Sequence, residues 1–327
     1  MLSEPSSLRA RAGANLTQVH NPGRVILIHT GAMLLLSLLL SVADFLLNQQ
    51  IGTTGGLSGM GQRSVLTTIQ SLLRLAQLVI LPFWQIGYTY YTLKAARGQA
   101  AGVSDLTEGF RRFGPVLRLK ALMLVMGVLL GFVCTQVSSF LFMMTPWAAP
   151  MMAKMETLMA DGSLTEEALI TAILAMSEDF MVPILILFGI CFLAGFVFLF
   201  FRFRLAELWL MDHPEDGALA ALRSSTILMQ GNCKAMFKID LHFWWFYLLE
   251  LLVAALGYGD AILRTVGIQL TADAFGTYII FFALYIWAQM SLYWWKRNEV
   301  CLTYAHAYLE LCPDPVETKD KEKDPVL

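Results

Sequence analysis

Residues 182–201 read VPILILFGICFLAGFVFLFF, a run of 20 residues without a charged side chain. A helix rises about 1.5 Å per residue, so a run of this length crosses a hydrocarbon core about 30 Å thick. The interior of a bilayer offers no partner to backbone N–H and C=O groups, and a crossing segment must therefore satisfy them within its own helix. The stretch predicts a transmembrane helix.

Five further segments are apolar over a similar length, which predicts an all-α fold: a polytopic membrane protein with six transmembrane helices plus short interfacial helices. In chain order the six segments are 25–47, 72–93, 121–144, 182–201, 239–256 and 278–295. Their apolar runs are too long and unbroken for barrel strands, in which apolar and polar residues alternate over about ten residues.

The composition of all 327 residues agrees with this interpretation. Hydrophobic residues make up 57% of the chain and charged residues 15%, whereas about one-quarter of an ordinary soluble domain is charged. These values exclude a soluble globular protein and a disordered one. The net charge is only -2, and no concentrated basic surface of the kind that nucleic-acid binding needs is evident, so we expect no nucleic-acid partner.

The Lys and Arg residues are concentrated on one side of the predicted spans. Nineteen of the 23 flank the same ends of the six segments, and cytoplasmic flanks carry such an excess. We therefore expect both termini to be cytoplasmic. Residues 1–24 then form a cytoplasmic N-terminal segment, residues 25–311 the transmembrane domain, and residues 312–327 a disordered tail, in which Lys alternates with acidic residues and Pro.

The largest outer loop, residues 145–181, is acidic and rich in methionine. It holds one Lys against six acidic residues, and eight of the 17 methionines lie in or beside it. Thioethers suit Cu(I), but methionine also forms adaptable apolar contact surfaces, and the sequence leaves both interpretations open. The cysteines and histidines show no metal-ligand spacing, so we predict no metal site and no cofactor.

The two long cytoplasmic connections each contain a short amphipathic helix, over residues 105–113 and 218–229. Each helix is followed by a glycine and a basic entry into the next span. This shared plan indicates a repeat of helical hairpins, or else two loops that are alike only because each has an interfacial helix and a positive flank. The predicted contacts to lipid headgroups or to a membrane partner are Arg111, Arg112, Lys120, Arg223 and Lys234.

The second connection also carries a longer motif. Residues 225–234 read Ser-x-x-Leu-Met-x-Gly-Asn-x-Lys, followed by Phe237, Asp240, Phe243 and Trp244. The motif resembles that of a family of bacterial integral membrane proteins classed only as a domain of unknown function. The likeness is strongest over residues 218–259 and weaker in the earlier hairpin. It implies a polytopic helical protein of the bacterial inner membrane, without an assigned substrate or catalytic residue.

Polar residues within the spans form a second candidate site. Ionisable residues inside a membrane are costly and indicate function, with a partner to be named for each. We expect Arg74 to pair with Glu250 or Asp44 in the outer half of the bundle. The alternative is that Asp44 and Arg74 snorkel to the interface while Glu250 is a structural hydrogen-bonding residue. The candidate intramembrane polar site comprises Asp44, Arg74, Gln77, Gln136 and Glu250.

No nucleophile, base and orienting group can be placed at one depth, so we expect no enzymatic activity. The sequence favours an accessory or scaffold protein that contacts membrane lipids or a membrane protein partner through its basic interfacial helices. A small-molecule or ion transporter that uses Arg74 and Glu250 is the alternative.

Overall fold

The computed structural model describes residues 2–53, 60–160, 166–268 and 274–312. Within these ranges the chain is helical and contains no strand, which confirms the all-α expectation. The helices are α1 (Pro5–Gln18), α2 (Pro22–Thr53), α3 (Met60–Ala96), α4 (Glu108–Arg111), α5 (Phe113–Met143), α6 (Ala148–Ala160), α7 (Glu166–Phe203), α8 (Ala206–Asp212), α9 (Gly217–Met229), α10 (Cys233–His242), α11 (Trp244–Gly257), α12 (Gly259–Thr265), α13 (Ala274–Leu292) and α14 (Asn298–Leu311). A 3₁₀ turn (Val103–Thr107) precedes α4, and a π-helical segment (Tyr293–Arg297) joins α13 to α14.

Several of these helices have the length and composition of membrane spans. Five qualify as continuous helices: Pro22–Ala43, Ser64–Ala96, Phe113–Met143, Met181–Asp212 and Gly276–Leu311. The pair α10 and α11 qualifies only when taken together, because its two helices are bent by 64° at Phe243. The described residues are therefore compatible with five spans, or with six if the bent pair counts as one.

Three boundaries differ from those expected. The predicted fifth span, residues 239–256, is broken, since its first residues belong to α10 and the rest to α11. Residues 166–181 of the predicted outer loop continue into α7 as one helix. Residues 5–18 of the N-terminal segment form α1. The tail at 313–327 lies outside the described residues.

Contacts divide the chain into two units, formed by Met1–Leu119 with Leu205–Leu327 and by Lys120–Arg204. In the second unit, the long helices α5 and α7 touch where the side chain of Leu130 lies against Gly195. The first unit contains most of the buried residues and every polar contact discussed below.

The first unit is built around the C-terminal half of α3. Phe83, Ile86, Tyr88 and Tyr91 are almost completely buried on it. Helices α1, α2, α4, α8 and α14 and the 3₁₀ turn all contact α3. This half of α3 is therefore the element on which the others pack.

Two glycines allow the chain after α3 to fold back onto it. A Cβ on Gly87 would lie 1.9 Å from the carbonyl oxygen of Leu106, and a Cβ on Gly109 would lie 2.0 Å from that of Phe83. The backbones of α3 and of the segment 103–111 thus approach each other at two points where no side chain fits.

Helix α1 docks on α14 and on the end of α3. Leu8 and Ala12 are completely buried in this contact. The side-chain amide of Asn15 donates to the carbonyl oxygens of Ala95 and Ala96 at 3.1 and 2.9 Å. Carbonyls in the last turn of a helix have no partner within the helix, so Asn15 caps α3 while α1 covers it.

We predict that Gly87→Ala destabilises the protein by about 1–3 kcal/mol, because backbone must move to admit the new Cβ. Thermal unfolding of detergent-purified protein measures the effect. Gly13→Ala is the matched control, since nothing lies within 4 Å of a Cβ at this position in α1, and there the change should be neutral or stabilising. Equal midpoints for Gly87→Ala and the wild type would contradict the close contact.

Candidate functional site

A carboxylate and an arginine pair where α11 meets the π segment. Arg297 Nη1 donates to Glu250 Oε1 at 3.3 Å, and the hydroxyl of Tyr293 donates to the same oxygen at 2.5 Å. The guanidinium of Arg297 also lies over the Tyr293 ring, 4.7 Å from its centroid. Both side chains are only partly accessible, 19% for Arg297 and 30% for Glu250. The π segment thus presents two donors to one carboxylate.

A second set of polar contacts continues from this pair toward α2 and α3. The hydroxyl of Tyr88 donates to Asn298 Oδ1 at 2.7 Å, and Asn298 Nδ2 donates to the carbonyl oxygen of Pro22 at 3.0 Å. The buried ring of His29 stacks on Tyr88 with centroids 4.4 Å apart. Since Asn298 directly follows Arg297, the two sets form one continuous polar cluster. The polar cluster comprises His29, Tyr88, Glu250, Tyr293, Arg297 and Asn298.

The π segment lies at the centre of the polar cluster. Such segments are rare and occur frequently at functional sites. Here its first and last residues, Tyr293 and Arg297, are four apart, a spacing that places side chains on one face of a helix. Both point to α11, and the next residue, Asn298, contacts α2 and α3.

A separate ionic layer ties α1, α3 and α8 to α14. Arg97 binds Asp212 through two nitrogens, at 2.6 and 2.8 Å, and the Tyr308 hydroxyl donates to the same carboxylate at 2.9 Å. Glu299 accepts from both Arg9 and Lys296. These carboxylates are satisfied by neighbouring donors, and their geometry indicates a structural role.

The predicted intramembrane site is not assembled as expected. Of the two expected partners of Arg74, Glu250 is wrong, because its carboxylate is held by Arg297 and Tyr293. The side chain of the other expected partner, Asp44, lies outside the described residues, so a pair of Arg74 with Asp44 stays a prediction. Arg74 is an exposed residue of α3, 14 residues before Tyr88 of the polar cluster, a separation of about 21 Å along a helix.

The bend at Phe243 explains why the sequence places Glu250 too far along the fifth span and so beside Arg74. A straight fifth span beginning at residue 239 would place Glu250 beyond its middle. In the structure α11 begins at Trp244, so Glu250 lies in its second turn.

None of the other members of that predicted site has a described contact with the polar cluster. Gln77 is half-buried on α3, in the turn after Arg74. Gln136 is exposed and belongs to the second unit. The side chain of Asp44 lies outside the described residues.

Sequence reasoning missed most of the polar cluster. Arg297 belongs to the basic residues that flank the predicted sixth span, and His29, Tyr88 and Asn298 lie in stretches without a polar periodicity. The only available signal was Tyr293 and Arg297, four residues apart beside a predicted span.

Three of the five predicted basic contacts are exposed. Arg111, Arg223 and Lys234 are exposed, and 71% of the Arg111 side chain is accessible. Lys120 is half-buried. Arg112 instead packs inside, where Nη1 donates to the carbonyl oxygen of Met211 at 2.6 Å and Nε to Glu108 at 3.0 Å. Arg112 therefore stabilises the fold, a role the sequence did not predict.

Two further basic residues extend this surface, Arg118 on α5 and Lys238 on α10, both exposed. We call the exposed basic residues of α4, α5, α9 and α10 the basic surface, which comprises Arg111, Arg118, Arg223, Lys234 and Lys238.

No group of three or more His, Cys, Asp or Glu side chains suited to a metal ion is present among the described residues. No family model, no curated protein and no solved structure matches this chain. The resemblance to a family of unknown function therefore stays a prediction.

We predict that Glu250→Ala lowers the free energy of unfolding by about 1–3 kcal/mol, because it leaves the guanidinium of Arg297 without its carboxylate. Denaturant unfolding in detergent measures this loss. Glu215→Ala, at an exposed turn position, removes the same group as a control.

A double-mutant cycle with Arg297→Ala tests whether the two side chains act as a pair. The double variant should lose less stability than the two single losses added together. Strict additivity would show that the contact contributes nothing.

Proposed function

We propose that this chain is a polytopic protein of the bacterial inner membrane, with six spans and both termini in the cytoplasm. In this proposal it is a non-enzymatic accessory or scaffold protein that contacts anionic lipid headgroups, or a membrane protein partner, through the basic surface. The long apolar helices support the membrane location. The side-chain composition of the basic surface supports the lipid contact.

The observation that carries the proposal is that exposed basic and exposed apolar side chains share one helix face. It is clearest on α9. Arg223 is exposed between two exposed apolar residues on the same face, Leu219 and Ile227, which are 72% and 61% accessible. Their spacing of four residues places all three in one stripe. In water such a stripe exposes apolar area, and in hydrocarbon it buries a charge. A bilayer interface accommodates both, because the apolar groups enter the acyl boundary while the guanidinium reaches phosphate.

The start of α5 has the same mixture of exposed apolar and basic side chains as α9. Phe113, Leu117 and Arg118 are exposed there, next to Arg111 at the end of α4. Basic residues of this kind beside a span attract anionic lipid by about 1 kcal/mol each.

The polar cluster supports the scaffold role. Glu250 accepts from two donors, and Asn298 both accepts and donates, so these groups join α2, α3, α11 and α14. These contacts hold the four helices together, while among the described residues His29 Nδ1 and Arg297 Nε of the same cluster are buried without a hydrogen-bond partner.

We predict that replacing Arg111, Arg118 and Arg223 together by Gln weakens the preference for anionic lipid. For the wild type, phosphatidylglycerol added to detergent-purified protein should raise the unfolding temperature more than phosphatidylcholine does, since a ligand of the folded state stabilises it. The triple variant should lose at least half of that difference.

Lys154→Gln on α6 is the control, because it neutralises an exposed basic residue elsewhere. A folded triple variant that keeps the full lipid preference would remove the support for this proposal.

The alternative proposal is a small-molecule or ion transporter. It is favoured by the position of the pair Glu250 and Arg297, which lies on apolar helices at a π segment.

For this alternative, Glu250→Gln should abolish a proton-linked flux in proteoliposomes while Glu215→Gln leaves it intact. A wild-type protein that shows no flux across a broad substrate panel would rule the alternative out.

A further inference from the structure

The break between α10 and α11 changes the direction of the chain at the start of the predicted fifth span. The two helices are separated only by Phe243, which is completely buried, and their axes differ by 64°. If α11 runs along the bilayer normal, a helix bent by this angle lies closer to the bilayer plane than to the normal. Helix α10 then extends along the membrane surface.

One face of α10 is exposed and of mixed character. Lys234, Phe237, Lys238 and Leu241 follow the spacing i, i+3, i+4, i+7, which places them on one side of the helix. Phe237 and Leu241 are 54% and 59% accessible. Two ammonium groups and two large apolar groups thus share a single stripe.

The opposite side of α10 is anchored to the protein. Met236 and Ile239 are buried there. Asp240 accepts from the hydroxyl of Tyr304 at 2.5 Å, and His242 Nε2 lies 3.4 Å from Arg9 Nη1. These contacts to α14 and α1 fix which side of α10 remains exposed.

A lipid headgroup region suits the exposed stripe better than hydrocarbon or water does. In hydrocarbon each Lys would cost about 2.5–3.5 kcal/mol at the centre of a span, and in water the apolar groups would stay exposed. At the interface, ammonium groups meet phosphates while Phe237 and Leu241 enter the acyl boundary. Trp244 follows at the start of α11, is exposed, and is of the type that marks a membrane interface.

The beginning of α5 provides an internal comparison. Residues 111–120 and 231–240 have the same pattern of buried, half-buried and exposed side chains at all ten positions. Leu117 and Arg118 correspond to Phe237 and Lys238, so an exposed apolar residue followed by an exposed basic one occurs in both places. Helix α5 continues without a break to Met143, whereas α10 ends at His242. The bend is therefore specific to the second copy of the pattern.

We propose that α10 is an in-plane amphipathic helix that binds anionic phospholipid, with Lys234 and Lys238 on the headgroup phosphates. The inference rests on the proposed function and adds to it the orientation of α10 and the phosphate contact of Lys234 and Lys238.

Depth measurements on the full chain in nanodiscs test the orientation. Spin labels are attached to cysteines introduced at 234 and 241 of a cysteine-free variant that still folds, and oxygen and nickel-chelate accessibilities give their depths. Seven residues separate the labels, about 10 Å along a helix axis, so a helix bent by 64° places them about 5 Å apart in depth and a continuous span about 10 Å apart.

Labels at 117 and 124 are the matched control, because both positions are exposed on the unbroken α5 with the same spacing. A difference of about 10 Å in both pairs would overturn the in-plane orientation and leave the proposed membrane location standing. Labels at 117 and 124 that both report water would overturn the membrane location itself.

The lipid contact is tested by the double variant Lys234→Gln, Lys238→Gln. Titration of short-chain phosphatidylglycerol into detergent-purified protein should show an affinity lower by about tenfold or more, because two Lys contacts are lost. Lys154→Gln is again the control. An unchanged affinity in a folded variant would overturn the assignment of phosphate binding to α10.

Discussion

Close contact between the backbone of α3 and the segment that follows it is the constraint on which the first unit depends. At Gly87 and Gly109 there is no room for a Cβ, so this contact exists only because both positions are glycine. It fixes the 3₁₀ turn and α4 against α3 and buries Leu106 completely. Helices α1, α2, α8 and α14 also contact α3, so the helix held by this close contact is the one that these four share.

The polar side chains of the first unit join helices that are distant in sequence. Asn298 connects α14 to α2 and α3, Arg297 connects the π segment to α11, and Asp212 connects α8 to α3 and α14. Each carboxylate in these contacts has at least two donors. Because an unpaired charge in an apolar environment is costly, satisfied pairs of this kind select one relative arrangement of the helices.

The same packing separates basic residues with two different roles. Arg112 and Arg97 point inward and bind a carbonyl or a carboxylate, whereas Arg223 and Lys238 remain exposed beside apolar groups. The first kind holds the fold together. The second kind provides the surface that we propose to contact lipid headgroups. Packing decides which basic side chains belong to that surface, because those that bind inside the protein are no longer exposed on it.

The sequence by itself determined the helical class and the approximate positions of the long apolar helices, because the length and composition of an apolar run are local properties of the chain. The tertiary structure decided which side of each amphipathic helix is covered, which is why Arg112 was predicted to be a contact residue and is internal. It also decided the partner of Glu250. That pairing joins α11 to the π segment across more than 40 positions of the chain, and α11 itself begins only after the bend at Phe243. A hydropathy pattern indicates where a helix is apolar. It does not indicate which other helix packs against it, or which residues of the two helices lie side by side.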